Sequence, residues 1–155
     1  MSAIRFQQMV FWLGRLVLGT VFIYAALLKI ASPREFADSI AAYQILPFSA
    51  INLLALGLPL FELACGLLVV TGFYFRVGLL GILALLAVFI IAFVLALLRG
   101  LSVDCGCFGA HSWFDASPAV VLVRDGLLFG MAALLYRHHL RGCRKAIIPS
   151  SPQSS

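Results

Sequence analysis

Four long apolar segments dominate the pattern of hydrophobic and polar positions along the chain. They cover about residues 9–31, 49–73, 77–98 and 117–136, and the third contains no charged side chain. A helix rises about 1.5 Å per residue, so about 20 apolar residues cross a hydrocarbon core roughly 30 Å thick. Because backbone groups in lipid must bond within their own segment, the pattern predicts an all-α, integral membrane four-helix bundle.

A short fifth element is predicted between the first two spans. Ser32, Pro33 and Glu35 have the order of a capping box, with proline at the first helical position. Pro47 is expected to end the element. The apolar side chains that follow the cap fall on one helical face, namely Phe36, Ile40 and Tyr43. The pattern predicts an amphipathic helix at the membrane surface, which is either a lid over a site or a connector packed on the bundle.

Composition agrees with a lipid environment. Of 155 residues, 63% are hydrophobic and 11% are charged, and the mean hydropathy is +1.10. Soluble domains carry about a quarter charged residues. A soluble domain of this size and composition would have too few polar side chains to cover its apolar surface. Residues 1–148 are therefore predicted to form one transmembrane domain, followed by a polar, disordered tail at 149–155. The first span is expected to be retained rather than cleaved as a signal peptide, because Arg15 interrupts it.

The distribution of basic residues predicts the orientation of the spans. Cytoplasmic loops carry an excess of Lys and Arg, so the richer side is the inner one. The basic residues on that side are Arg5, Arg76, Arg137, Arg141, Arg144 and Lys145, against Lys29, Arg34 and Arg99 on the other. Both termini are predicted to be cytoplasmic, and in a bacterium the loop before the fourth span would face the periplasm from the inner membrane. This topology explains the net charge of +5 better than a nucleic-acid partner does.

Cys105 and Cys107 lie in that outer loop, separated by Gly106. Cysteines two apart in a turning chain reach the Cα separation of a disulfide, about 4.4–6.8 Å, and glycine permits the backbone angles required. Gly109 adds further freedom to the loop. Small strained disulfides exchange readily, so a redox-active dithiol is one interpretation. A static disulfide that staples the loop and a reduced pair without a role are the others.

A metal site in the same loop is a weaker interpretation. His111 and Asp104 stand near the two cysteines and supply further donor atoms. The spacing matches no common zinc signature, and thiolates in an oxidising compartment are usually oxidised. No metal is predicted. Cys65 is expected to be a small core residue, and Cys143 belongs to the basic cytoplasmic segment.

Ionisable side chains inside the spans form a second candidate site. The residues are Arg15, Lys29, Glu62, Arg124 and Asp125. Charges within a bilayer are expensive and mark functional sites by default. Glu62 is expected near the bilayer centre, paired with Arg15 or Arg124, and Asp125 is expected within reach of Lys29. The group either relays protons to a dithiol or quinone head group, or consists of structural pairs that fix helix packing.

Several of these features together resemble the MauE family of methylamine utilisation proteins, within the wider group of DoxX-like four-helix membrane proteins. The resemblance extends to about residue 136, and its specific part is Cys105-Gly106-Cys107-Phe108-Gly109 followed by Arg124. One departure is Asp125, where a neutral polar residue is expected. The other matching pieces are Gly14-Arg15 with Phe22 to Lys29, Pro33 to Pro47, and Pro59 to Glu62 followed by Gly66 and Gly72.

The resemblance implies a dithiol at Cys105 and Cys107 that works with a periplasmic thioredoxin-like partner. Family members are linked to disulfide formation in an exported dehydrogenase subunit, so an exported client protein is expected as well. Quinone remains a candidate electron acceptor by analogy with other disulfide-forming four-helix bundles. Two alternatives stay open: a non-catalytic assembly or anchoring subunit with a structural disulfide, and a small-molecule carrier that uses the intramembrane charges.

Overall fold

The computed structural model describes residues 2–44, 47–100 and 118–147, and within those ranges the regular secondary structure is helical. The helices are α1 (Ser2–Ala31), α2 (Pro33–Ala42), α3 (Phe48–Thr71), α4 (Phe75–Leu98) and α5 (Pro118–Ile147). Four of them are long and apolar enough to cross a membrane, over Gln8–Ala31, Ala50–Thr71, Phe75–Leu98 and Ala119–Leu140. The predicted all-α membrane architecture is confirmed, with the short fifth helix between the first two spans.

The helices α1 and α3 cross at two glycines. A Cβ atom on Gly19 would lie 3.1 Å from the carbonyl oxygen of Gly66, and a Cβ atom on Gly66 would lie 3.1 Å from the carbonyl oxygen of Gly19. Small residues let membrane helices approach until their backbones touch, which increases van der Waals contact where lipid provides no hydrophobic driving force. This crossing fixes the relative height of the side chains on α1 and α3.

One end of the bundle, here called the N-terminal end, joins the start of α1 to the α3–α4 turn and to the C-terminal half of α5. The ring of Phe11 lies 5.6 Å from that of Phe75 and 5.1 Å from that of His138, measured between centroids. Gly72 ends α3 with a φ of +79°, and its amide donates to the carbonyl of Leu68 at 3.0 Å. A left-handed glycine of this kind is a common helix C-terminus.

The opposite end, here called the α2 end, contains α2, the C-terminus of α4 and the N-terminus of α5. Phe93, Ala96 and Val121 form a buried cluster there, and Tyr43 packs against it. Residues 101–117, which connect α4 to α5, lie outside the described residues. They include the predicted site residues Cys105, Gly106, Cys107 and Gly109. Both helix ends that flank this connection belong to the α2 end.

The start of α2 differs from its predicted form. Pro33 occupies the first helical turn, but the Ser32 side chain makes no capping hydrogen bond. The Ser32 amide instead donates to the carbonyl of Leu28 at 3.2 Å, which ties Ser32 to the last turn of α1. The backbone angles of Ser32 (φ −128°, ψ 67°) lie outside the extended conformation that is typical of capping residues. Pro47 does not end α2, which stops at Ala42, but precedes α3 as its N-terminal cap.

Candidate functional site

A buried ion pair joins α1 to α3. The Nζ atom of Lys29 donates a hydrogen bond to Oε2 of Glu62 at 2.6 Å, and the two side chains are 1% and 3% exposed. The prediction that Glu62 pairs with Arg15 or Arg124 was wrong, because the crossing of α1 and α3 brings Lys29 to its carboxylate. Lys29 lies near the end of α1, and its long side chain reaches inward to the deeper glutamate.

Two aromatic rings enclose the ammonium group of Lys29. Its Nζ atom lies 5.3 Å from the ring centroid of Phe36 on α2 and 5.1 Å from that of Phe89 on α4. The face of an aromatic ring attracts a cation, most strongly where water is excluded. Phe36 is itself buried. The amphipathic α2 therefore packs on the bundle through Phe36, which lies beside the ion pair.

A second pair of charges comes from α5. The Nε atom of Arg124 donates to Oδ1 of Asp125 at 3.0 Å, and Asp125 is 4% exposed. Both α5 charges act electrostatically on Lys29, and Asp125 also acts on Glu62. Asp125 thus bonds Arg124 and lies within electrostatic range of Lys29. Three helices contribute two ion pairs, Lys29 with Glu62 and Arg124 with Asp125, whose four formal charges sum to zero.

Arg15 lies apart from this group, at the N-terminal end. Its Nε atom donates to the Val69 carbonyl and its terminal nitrogen to the Val70 carbonyl, both at 2.7 Å. The last carbonyls of a helix lack intrahelical partners and carry partial negative charge, so a guanidinium there caps α3. The ring of Trp12 stacks on Arg15, 4.3 Å from its central carbon. Of the five predicted network residues, Arg15 is therefore the one that the structure separates from the others.

Cys65 occupies the helical face of Glu62, one turn further along α3. It is a free, buried thiol whose Sγ atom packs against Gly81 of α4. The expected role as a small core residue agrees with this packing. The charge of Glu62 acts on Cys65, so the cysteine borders the site without contributing a hydrogen bond to the ion pair.

Phe89 is the site residue that sequence reasoning missed. A phenylalanine in an uninterrupted apolar span has the same signature whether it faces lipid or a buried cation, so hydropathy gave no signal. Phe36 was recognised only as part of the apolar face of α2. The sequence features that link Lys29 to Phe36 are a basic residue close to the end of a span and an amphipathic helix directly after it.

The fold and the buried site define a multi-pass helical membrane protein with a charged, aromatic-enclosed centre at its α2 end. The family model described as "Methylamine utilisation protein MauE" matches residues 7–137. The chain belongs to this family, which confirms the resemblance.

Two relatives support the family assignment. The methylamine utilization protein MauE of Paracoccus denitrificans is 37% identical over 110 residues, which cover 70% of this chain and 59% of the relative. The protein of the same name from Paracoccus versutus is 31% identical over 141 residues, which cover 87% of this chain and 75% of the relative. The chain thus spans about 59% of the length of the first of these relatives. No solved structure gave a significant match.

Proposed function

We propose that this protein is a membrane thiol–disulfide exchange component whose Cys105 and Cys107 react with a periplasmic thioredoxin-like protein. The observation that carries the proposal is the position of the buried charges. The helices that flank the Cys105–Cys107 connection meet at the α2 end, and Lys29, Glu62, Arg124 and Asp125 are gathered toward that end. An acid–base group at the end of the bundle where these two helices stop supports chemistry that moves both protons and electrons.

The exchange itself needs only the two cysteines and the partner. A thiolate of one member attacks the disulfide of the other, so that one sulfur–sulfur bond breaks as the mixed disulfide forms. The second thiol of the attacking pair then releases the partner as a dithiol and closes its own disulfide. Two electrons pass between the proteins, in the direction set by their reduction potentials. If the membrane protein oxidises its partner, a membrane quinone is the candidate acceptor of two electrons and two protons.

The proposed orientation follows from the charges at the two ends. Arg76 and Arg137 lie at the N-terminal end, beyond the aromatic contacts of Phe75 and His138. An excess of basic residues marks the cytoplasmic side. We therefore assign the N-terminal end and both termini to the cytoplasm, and the α2 end to the periplasmic side of the bacterial inner membrane.

The family name points to a client for this chemistry. Both relatives are named methylamine utilization proteins, and this chain is proposed to act in the same process. The client would be an exported protein that requires disulfides, such as a subunit of methylamine dehydrogenase during maturation. The thioredoxin-like partner would carry disulfides between the membrane protein and that client.

The test is to trap the reaction in intact cells. In a Cys107→Ala chain, a mixed disulfide at Cys105 cannot be resolved, so we expect an adduct with a thioredoxin-like protein that mass spectrometry identifies. Wild-type protein should cycle between dithiol and disulfide when the cells are challenged with a reductant and then recover. A Cys65→Ala chain is the matched control, because Cys65 is buried in the core, and it should cycle like wild type.

The alternatives predict different results. An anchoring subunit with a structural disulfide would keep the pair oxidised throughout and form no adduct. Replacing either Cys105 or Cys107 would then lower abundance and activity in parallel. A carrier would depend on Glu62 while tolerating replacement of both cysteines. A pair that stays oxidised without any adduct contradicts the exchange function.

A further inference from the structure

The buried site contains more acid–base capacity than a structural ion pair needs. Glu62 on α3 bonds Lys29 on α1, while Asp125 and Arg124 on α5 act on this pair. From α2 and α4, the groups that face Lys29 are the rings of Phe36 and Phe89. On α3 itself, Cys65 feels the charge of Glu62. Two carboxylates and an ammonium group within one enclosed site allow a proton to be held in more than one place.

The helix α2 separates the Lys29–Glu62 pair from the exterior of the bundle. One face of α2 buries Phe36 against Lys29, and the other carries the exposed charged side chains of Arg34, Glu35 and Asp38. Exposed charges of this density are unfavourable in hydrocarbon, so that face of α2 lies in water or among lipid headgroups. The distance from the ion pair to a polar phase is thus about one helix diameter, roughly 10 Å.

The helix α2 is bounded at both ends by residues outside regular helical geometry. Ser32 is the one residue between α1 and α2, and Gln44 beyond its C-terminus has a φ of +51°. A small outward displacement of α2 would lift Phe36 from Lys29 and admit water to the pair. The same displacement leaves the close crossing of α1 and α3 at Gly19 and Gly66 in place.

We propose that Lys29 and Glu62 form a proton-exchange site under α2 that serves the dithiol chemistry, an inference that rests on the thiol–disulfide function proposed above. When a thiol of the Cys105–Cys107 pair ionises, its proton passes through water to the Glu62 carboxylate. The thiolate then attacks the partner's disulfide, and the proton returns to the sulfur that leaves. No proton is gained or lost overall, and the electrons remain in the sulfur–sulfur exchange.

Lys29 and Asp125 have distinct positions in this scheme. Lys29 holds the Glu62 carboxylate by a short hydrogen bond and loses part of its electrostatic partner when Glu62 is protonated. Asp125 is already bonded to Arg124, so protonation of Glu62 leaves one excess positive charge in the site. That excess charge favours the ionised form of Glu62 and thereby the return of the proton to the leaving sulfur.

The first test measures protonation of Glu62 without using the dithiol. Dicyclohexylcarbodiimide partitions into membranes and adds to protonated carboxyl groups, giving a stable N-acylurea. We expect mass spectrometry of the full-length protein in membranes to find Glu62 labelled at mildly acidic pH and less labelled as the pH rises. Glu35 is the internal control, because an exposed carboxyl group faces water rather than the membrane-dissolved reagent and should remain unlabelled. The Glu62→Gln chain should lose the label from the peptide that contains position 62.

The second test separates proton exchange from packing. Glu62→Gln should slow disulfide exchange about 100-fold, a typical contribution of acid–base catalysis, and Glu62→Asp should restore much of the rate. The double variant K29M E62L replaces the pair by apolar side chains, which buried ion pairs often tolerate. It should accumulate to wild-type levels yet exchange as slowly as Glu62→Gln.

Two outcomes overturn the inference. One is a Glu62 carboxyl that stays unlabelled at every pH, and the other is a K29M E62L chain that exchanges at the wild-type rate. Failure of the underlying function gives a different pattern: the Cys105–Cys107 pair would stay static in wild type. Labelling of Glu62 in that static protein would show a proton-exchange site and would reject its assignment to thiol chemistry.

Discussion

The helix α1 carries two buried cations, and they are satisfied in different ways. Arg15 donates to the backbone carbonyls of Val69 and Val70, whereas Lys29 donates to the Glu62 carboxylate. The two lie roughly 20 Å apart along α1, at about 1.5 Å per residue. A backbone carbonyl cannot take up a proton at physiological pH, but a carboxylate can. The partner of an intramembrane charge, rather than the charge itself, therefore distinguishes a structural cap from a site for proton chemistry.

The surroundings of the two cations sharpen this comparison. Trp12, which stacks on Arg15, is 54% exposed, as expected for an aromatic side chain at a membrane interface. Phe36 and Phe89 enclose Lys29 within the protein. Within the described ranges, every fully buried side-chain nitrogen and oxygen atom has a hydrogen-bond partner. Both cations are thus compatible with a stable fold, but they should respond differently to substitution.

The largest effect on stability is expected from Lys29→Met. Removing one member of a buried ion pair leaves the Glu62 carboxylate uncompensated, which should lower the free energy of unfolding by about 3–5 kcal/mol. Unfolding in mixed micelles, followed by circular dichroism, measures the change. The K29M E62L double variant is the control and should lie close to wild type. If the double variant is as unstable as the single one, the lysine side chain matters for packing rather than for charge.

A smaller loss is expected from Arg15→Gln. A glutamine side chain is shorter and neutral, so it cannot reproduce two hydrogen bonds from a charged donor, and the loss should be about 1.5–3 kcal/mol. The rate of disulfide exchange per folded molecule should not change, because Arg15 lies at the opposite end of the bundle from the ion pair. A reduced rate at equal abundance would place Arg15 in the same functional network as Glu62.

Gly72→Ala should cost less again. Gly72 has a φ of +79°, and a Cβ atom there would lie 2.6 Å from a terminal nitrogen of Arg15. The left-handed conformation alone disfavours alanine by about 1–2 kcal/mol. In the background of Arg15→Gln, the shorter side chain relieves the contact, so the two losses should sum to more than the loss in the double variant. Strict additivity, measured by the same unfolding assay, would show that the guanidinium does not lie over Gly72.

The smallest effect is expected from Trp12→Leu. The exposed stack between the Trp12 ring and Arg15 should contribute about 0.5–1 kcal/mol, and leucine retains much of the apolar surface. Phe36→Leu is the matched change at the α2 end, since it removes a ring from a buried cation and should cost up to about 2 kcal/mol. Equal losses at the two positions would remove the distinction between an exposed and an enclosed aromatic contact.

Hydropathy was sufficient to predict the architecture, because a membrane span needs only length and apolar composition. The predicted and observed spans differ by a few residues at their ends, and the amphipathic α2 was predicted from the face shared by Phe36, Ile40 and Tyr43. The fifth helix continues to Ile147, beyond the predicted end of the fourth span. Charged and polar residues there obscure the pattern outside the hydrocarbon region.

The pairing of the charges was not predictable in the same way. Hydropathy does not encode how far one helix is shifted or rotated against its neighbour, and at this crossing the shift is set by the contact of Gly19 with Gly66. The backbone partners of Arg15 were missed. Gly72 directly after the second span marks a helix C-terminus with open carbonyls, which was the available signal for a capping cation.

The distinction between the two cations is tested most directly by the rate at which the Cys105–Cys107 pair is reoxidised in cells after a pulse of reductant. Thiol trapping gives this rate for Glu62→Gln and Arg15→Gln chains, each normalised to its abundance in the membrane. The account predicts that Glu62→Gln slows reoxidation about 100-fold, while Arg15→Gln lowers abundance and leaves the rate per molecule unchanged. Equal rates in both variants, or a slower rate only in Arg15→Gln, would contradict it.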